Sequence, residues 1–313
     1  RRIVMPDLIY SRNGNNDFLT SCQIRANSPA VYAHDYAEDL SSKYGNFNSA
    51  QAIEIMNDYG YGVTQAAQVQ GRTETANLHG QHLMAFAKRF KADATPEQQP
   101  EIIFYNSHDG KSSMKLFAGV YRFICSNGII AGEGFDQRMI HYKNNLDNFE
   151  DILKYTASKL EDISQLTHNM KNITPEPDQV FEFACAALNT RYDSETIDID
   201  ARTRNVYTGR TITNVLTPTR EQDEADNAWT IFNRVQESVM RGGMPVIGDR
   251  KRYGRNFQGY KQAKPITSIK QNVDVNRKLW DIAQEVLVSW PLLMEANAQL
   301  QQLTGQCMKA TGS

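Results

Sequence analysis

Long apolar runs are missing from this chain. Nowhere do about 18 consecutive apolar residues occur, as a membrane-crossing helix requires, and the longest stretches are of strand length, such as Ile102–Tyr105. A transmembrane protein and a membrane partner are therefore not expected. Cysteine is also scarce: Cys22, Cys125, Cys185 and Cys307 form no C-x-x-C pair, which argues against a disulfide scaffold or zinc ribbon and suits the reducing cytoplasm of a host cell. The basic start Arg1-Arg2-Ile3-Val4-Met5-Pro6 leads into no apolar signal core, so secretion is not expected. Neither sign of charge dominates, with 34 Lys+Arg against 36 Asp+Glu and a net charge of −2, which speaks against a surface wholly devoted to nucleic acid. No G-x-x-x-x-G-K-[ST] occurs, and Gly128, Gly132 and Gly134 do not have the order of a dinucleotide fingerprint. No D-x-D or E-x-K constellation falls on a strand pair. ATP-driven chemistry, a two-metal nuclease and a resident cofactor are thus not supported.

What is present suits a globular protein. Apolar residues make up 40% and charged residues 22% of the 313, enough for a packed core in one large domain or two smaller ones. Asn (24) and Gln (21) supply much of the polarity without charge.

Along the chain, residues 1–45 are rich in Asn, Ser, Asp and Tyr without sustained periodicity, and read as an irregular N-terminal arm able to wrap a neighbouring subunit. Ala50, Ile53, Met56 and Tyr59 predict a helix over 48–59 with Gly60 at its C-terminal end. Tyr61–Val69 alternates with period two, predicting a strand with one face on a core, and residues 80–90 predict its partner. Two apolar runs flank Asp109-Gly110, predicting a hairpin with the segment Asn106–Ser112 at its tip, and Ser126-Asn127-Gly128 predicts a second turn. Helical spacing returns over 146–170, and again after Pro177, where Val180, Phe181, Ala184 and Leu188 share a face. Residues 191–217 read as an irregular loop or small hairpin. Thr219–Gln222 reads as a capping box for a helix ended by Gly242-Gly243, and a last helix is predicted over 274–304 with Pro291 as a break. The resulting expectation is an α+β fold. An antiparallel sheet of four or five strands packs on long helices in a core over 46–172, and residues 173–313 form a mostly helical C-terminal part.

Two segments could carry chemistry. The window 241–270 holds eight cations against Asp249 alone, so it carries +7 and the rest of the chain −9. Arg250, Lys251, Arg252, Arg255, Lys261 and Lys264 could neutralise phosphates, with Tyr253, Phe257 and Tyr260 interleaved to stack on unpaired bases. The competing reading is a solvated loop whose cations meet acidic surfaces of the same oligomer. The hairpin segment groups Ser107, His108 and Asp109 in a way that resembles a catalytic cluster, but adjacent strand residues point to opposite faces. Turn-building is favoured, with Asp109-Gly110 shaping the turn and Asn106 and Ser107 bonded to its backbone. His79 and His82 form H-x-x-H, but on a strand they diverge and no third ligand has suitable spacing, so no metal is expected.

The segment Asn106–Gly132 matches the pattern N-S-H-D-G-x-S-S followed by G-x-x-R-x-x-C-x-N-G at Asn106, Ser107, His108, Asp109, Gly110, Ser112, Ser113, Gly119, Arg122, Cys125, Asn127 and Gly128. A second block comprises Trp229, Asn233, Gln236, Glu237 and Gly242-Gly243, then Asp274, Asn276, Lys278 and Trp280. On these residues the chain, over about 45–290, resembles the phage/plasmid-like family of unknown function, the YfjQ/YafZ/YubP group of prophage and plasmid proteins. The resemblance implies a mobile-element context and brings no catalytic residues. The order of helix, antiparallel sheet and long helix also resembles the core of ring-forming single-strand annealing proteins of the RecT and Erf kind, a fold-level analogy.

Together these imply a non-enzymatic, homo-oligomeric, cytoplasmic DNA-binding protein of a phage or mobile element. It would bind single-stranded DNA in annealing, recombination or protection of DNA. The alternative is a counter-defence protein that binds and inhibits a bacterial defence complex, and a third reading is a hydrolase using His108 and Asp109.

Overall fold

The computed structural model describes residues 8–10, 17–33, 48–69, 74–89, 98–110, 112–122, 127–132, 136–139, 146–193, 197, 209–247 and 259–289. The chain divides into two units. The first comprises residues 1–165 with 266–277, and the second comprises 166–265 with 278–313.

In the first unit a sheet of seven described strands is antiparallel throughout. In chain order these are β1 (Leu8–Tyr10), β2 (Tyr61–Gln68), β3 (His82–Lys88), β4 (Gln98–Asn106), β5 (Met114–Arg122), β6 (Asn127–Ile130) and β7 (Asp136–Met139). The five strands β2–β6 are the sheet expected from the sequence. Two short strands extend it, with β1 pairing β2 and β7 pairing β5 beside β6. The α+β class follows from this sheet and the helices on it. Pro100 lacks an N–H yet sits in β4, and it is tolerated because the described pairing of β4 with β3 begins only at Ile102.

Both faces of the sheet are covered, so the period-two expectation of one wet face for Tyr61–Val69 does not hold: seven of its eight strand residues are buried. Met56 of α2 (Ser49–Asp58), Ile24 of α1 (Ser21–Asn27), and Phe149 and Leu153 of α4 (Leu146–Lys171) pack with Val63, Met84, Phe86, Ile102 and Phe104 on one face. Leu83, Ala85, Ile103, Tyr105 and Phe117 line the other face with Val273, from the start of the last long helix. Helix α2 opens on an Asn48 side chain accepting from Ala50 N–H and closes before Gly60 at φ +81°, as the spacing predicted.

Residues 17–33 depart from the irregular arm expected for 1–45. Thr20 and Gln23 form a reciprocal capping box for α1, Leu19 N–H donates to Val63 O at 2.8 Å, and Leu19, Ile24 and Val31 enter the core. Asn127 and Gly128 also differ from expectation. They pair with Arg122 and Tyr121 as strand β6, and Ser126, the first residue of the expected turn, lies outside the described residues.

Gly119 lets β6 approach β5 closely, since a Cβ there would lie 2.6 Å from Ile129 O in the paired strand. Gly119→Ala is expected to destabilise the first unit by about 2 kcal/mol through overpacking against backbone. Urea unfolding measures this, and an unchanged midpoint would show that β6 yields instead.

The second unit holds α5 (Pro177–Asn189), α6 (Arg210–Leu216), α7 (Ala228–Arg241), the two-stranded ribbon β8 (Pro245–Ile247) with β9 (Tyr260–Gln262), and the end of α8 (Ile269–Ala283), which continues as a π-helical turn over Gln284–Ser289. Phe232 sits at the centre of its aromatic core, 5.9 Å from Trp280 edge-on, 6.1 Å from Trp229 and 6.3 Å from Phe183. Three expectations change here. The buried stripe of α5 is Gln179, Phe183, Ala184, Ala187 and Leu188, so Phe183 replaces Phe181. The segment read as loop over 191–217 ends in α6, which buries Thr211, Ile212 and Val215. Helix α7 starts at Ala228 under an Asn227 cap and not at Thr219–Gln222, where Glu221–Asp223 forms a separate 3₁₀ turn. Arg234 holds that turn: it is 9% exposed and donates to the carbonyls of Asp223 and Ala225 while pairing with Asp226 at 3.1 Å.

Candidate functional site

Strand β4 ends at Asn106, and the side chains beyond it keep the alternation of the strand. Even-numbered Phe104, Asn106 and His108 face α2, while odd-numbered Tyr105 faces α8. The motif loop therefore has an inner and an outer side.

The inner side is a sealed polar network in which Ser49, His82, Asn106 and His108 are each 0% exposed. Ser49 Oγ lies 2.7 Å from His82 Nε2, 3.0 Å from Asn106 Nδ2 and 3.5 Å from His108 Nε2, and the two imidazole centroids are 5.2 Å apart. The bonding pattern assigns the tautomer. His82 Nδ1 stands 3.0 Å from Gly80 O, which can only accept, so neutral His82 carries its proton on Nδ1 and Nε2 accepts from the Ser49 hydroxyl. Asn106 then donates to Ser49 Oγ. Asn106 thus reaches a helix, a partner that the sequence did not suggest. His108 N–H donates to His79 O at 2.9 Å, and this carbonyl is at the end of α3 (Glu74–His79). His79 is consequently helical and His82 alone lies in a strand, unlike the single strand expected for both. Among the described residues no group of three or more His, Cys, Asp or Glu side chains could hold a metal.

Gly110 takes φ +71° at the tip, as Asp109-Gly110 predicted, and Asp109 is partly exposed while His108 is buried, so the two do not converge. The neck of the loop is closed by Ser107, whose hydroxyl accepts from Ser112 N–H at 3.1 Å and donates to Ser112 O at 3.3 Å. On the outer side, Tyr105, Ser112, Ser113 and Lys115 with Lys270, Val273 and Asp274 of α8 enclose a half-open pocket of about 190 Å³, all within the first unit. Ser112 Oγ lies 2.9 Å from the Tyr105 hydroxyl and accepts from Gln81 Nε2 at 3.0 Å. Burial raises the Tyr105 pKa; the bond to Ser112 opposes this, and the charges of Asp274 and Asp109 reinforce it, so the phenol remains a donor. Arg122, Asn127 and Gly128 lie at the paired ends of β5 and β6.

The basic window is built differently. Gly242 ends α7 at φ +69°, and a Cβ there would meet Ala263 O at 2.4 Å, so glycine allows the chain to turn directly into the ribbon. Backbone bonds between Gly243 and Ala263 and between Ala263 and Met244 extend the β8–β9 pairing. Thr211 Oγ1 donates to Pro245 O at 2.6 Å, and Arg191 donates to Lys264 O. All three residues of β9 are exposed, with Tyr260 at 41%, and the Arg210 guanidinium lies 4.7 Å over the Tyr260 ring. Lys261 and Lys264 are exposed beside it. Arg250, Lys251, Arg252, Tyr253, Arg255 and Phe257 belong to the connection between β8 and β9, outside the described residues. The sequence offers no signal for Arg210, which lies with Arg202 and Arg204 in a polar segment well before the basic window.

The second motif block falls on the buried side of α7, where Asn233 donates to Trp229 O at 2.7 Å and Glu237 pairs with Arg220 and Arg241. No helix among the described residues is long and apolar enough to cross a membrane.

Comparison with known proteins agrees with the motif. The UPF0380 protein YfjQ of Escherichia coli (strain K12) is 27% identical over 263 residues, covering 83% of this chain and 88% of the relative. The UPF0380 protein YafZ of the same organism is 27% identical over 261 residues with the same coverage. No solved structure matches the chain. A family model described as "Domain of unknown function (DUF932)" matches residues 38–280, most of the chain, which therefore belongs to the DUF932 family.

Proposed function

We propose that this chain is a non-catalytic DNA-binding protein of a phage or other mobile element. It acts as a homo-oligomer in the host-cell cytoplasm, on single strands, in annealing, recombination or protection of DNA. The observation that carries the reading is the exposed ribbon of the second unit. Its strand β9 presents Tyr260 and Lys261, Arg210 backs the Tyr260 ring, and its two strands bracket the segment that holds Arg250, Lys251, Arg252 and Arg255. A tyrosine that is 41% exposed and carries a guanidinium over its ring suits stacking of an unpaired base, while flanking cations suit phosphates. The succession of α2, antiparallel sheet and long α4 supports the annealing part of the reading. The sealed state of Ser49, His82 and His108 supports a structural role over hydrolysis, because no substrate reaches a side chain that is 0% exposed.

Light scattering on a sizing column, with and without a fluorescent single-stranded oligonucleotide at about 50 and 200 mM salt, tests the proposal. A large oligomer whose strand affinity drops steeply with salt is expected. An oligomer indifferent to DNA at both salts would overturn it in favour of the counter-defence alternative.

A further inference from the structure

The outer pocket of the motif loop is unrelated to the ribbon and has a donor-rich chemistry of its own. Its wall carries two ammonium groups, from Lys115 and Lys270, against the single carboxylate of Asp274, and none of the three forms an ion pair among the described residues. Hydroxyl protons can be counted. Ser112 Oγ already accepts from Gln81, and its contact with the Tyr105 hydroxyl consumes one of the two protons that the pair owns. If Tyr105 donates to Ser112, the Ser112 proton remains for an outside acceptor. If Ser112 donates, the Tyr105 proton remains. Either way one hydroxyl donor is left over, alongside Ser113 and the two lysines. This excess of donors asks for an anion with several acceptor oxygens. Asp274 asks in turn for a donor beside that anion, such as a sugar hydroxyl or an amine.

Size narrows the ligand further. A volume of about 190 Å³ equals roughly six waters, enough for a phosphate and an attached sugar, and the open side leaves room for a base on that sugar outside the pocket. The site is also preorganised, since Ser107 clamps the backbone of Ser112 and the sealed Ser49–His82–Asn106–His108 network fixes the strand end from behind. The first motif block supplies Ser112 and Ser113, and the second supplies Asp274.

We propose that this pocket binds a sugar phosphomonoester, with its phosphate on Lys115, Lys270 and the hydroxyls and its sugar hydroxyl on Asp274. A free nucleoside monophosphate and the 5′-phosphorylated end of a nucleic-acid strand share this chemistry.

Isothermal titration of the full chain with deoxyadenosine 5′-monophosphate, deoxyadenosine and inorganic phosphate tests the proposal. Binding is expected for the monophosphate and is expected to be at least about tenfold weaker for deoxyadenosine. Lys115→Gln with Lys270→Gln retains the side-chain stems, so a normal melting curve is expected together with an affinity lowered about tenfold or more. Asp274→Asn should keep phosphate binding and lose the preference for the monophosphate over inorganic phosphate. Monophosphate binding by the folded double variant at wild-type strength would overturn the assignment, as would no heat from any phosphate probe at about 5 mM. Where the lysine dependence holds, oligonucleotides with and without a 5′-phosphate identify the source: preference for the phosphorylated strand assigns strand ends, and equal binding assigns free nucleotide. The alanine variant of Arg250, Lys251, Arg252 and Arg255 should bind the monophosphate normally, so failure of the ribbon reading and failure of this one give different results.

Discussion

Ser49→Ala, the loss of one buried oxygen, is expected to cost about 3 kcal/mol, more than a single hydrogen bond normally contributes. The reason is geometric. Ser49 Oγ is shared by His82, Asn106 and, at longer range, His108, and every one of these side chains is 0% exposed. Alanine keeps the helix start of α2 but leaves His82 Nε2 and Asn106 Nδ2 facing a methyl group, and water has no route to replace the hydroxyl. The penalty is thus the desolvation of two or three stranded groups, each worth about 1–3 kcal/mol. For a unit of this size the shift in melting temperature is about 10 °C. Calorimetry or thermal circular dichroism measures it. A catalytic serine would behave in the opposite way, because relieving a strained polar cluster often leaves stability unchanged or improved while activity disappears. A melting temperature within about 1 °C of wild type would therefore sink the structural account of the motif and return the hydrolase reading to contention.

The parts of the fold that were legible in the sequence are those in which a local period spans a whole element. Helix α4 repeats Phe149, Leu153, Thr156, Leu160 and Ile163 at intervals of three and four, and β2 carries Tyr61, Val63 and Ala67 at odd positions, so both elements could be placed from the sequence even though β2 is buried on both faces. The N-terminal residues could not. Leu19, Ile24 and Val31 are isolated apolar residues among polar ones, and what orders them is docking on α2 and the sheet. Helix α6 escaped for a related reason: at seven residues it is too short for a period to emerge, and two of its residues facing the core are Thr211 and Ile212 in sequence.

The candidate sites divide in the same way. Turn chemistry placed Gly110, whereas the burial of His108 and Asn106 depends on the strand alternation continuing past the last ladder pair, and this is a property of the folded loop. Composition marks the basic run but cannot supply Arg210, which reaches the Tyr260 ring only because α6 packs beside the ribbon. The pocket was least legible of all, since Lys115 and Lys270 are 155 positions apart in sequence and meet only when the start of α8 returns to the first unit.

Replacing Arg250, Lys251, Arg252 and Arg255 by Ala is expected to have the largest effect on binding of any change to the chain. Each cation that neutralises a phosphate of a single strand releases about 0.7 of a counterion, so the four together should make the plot of log affinity against log salt shallower by about 2.8. At about 0.1 M salt the same arithmetic gives an affinity lower by roughly 600-fold, and the gap should narrow as salt rises. Tyr260→Ala separates stacking from charge. Losing one base-stacking ring costs about 1–3 kcal/mol and leaves the salt slope as it is, because no phosphate contact disappears. Arg210 then provides an internal check: without the ring it covers, its guanidinium no longer supports a base, so Arg210→Ala added to Tyr260→Ala should cost less than Arg210→Ala alone. Fluorescence anisotropy with an oligo-dT strand over a salt series reads all four variants. If the four-alanine protein keeps both its affinity and its slope, phosphates are not what these cations meet, and their counterpart is instead an acidic protein surface.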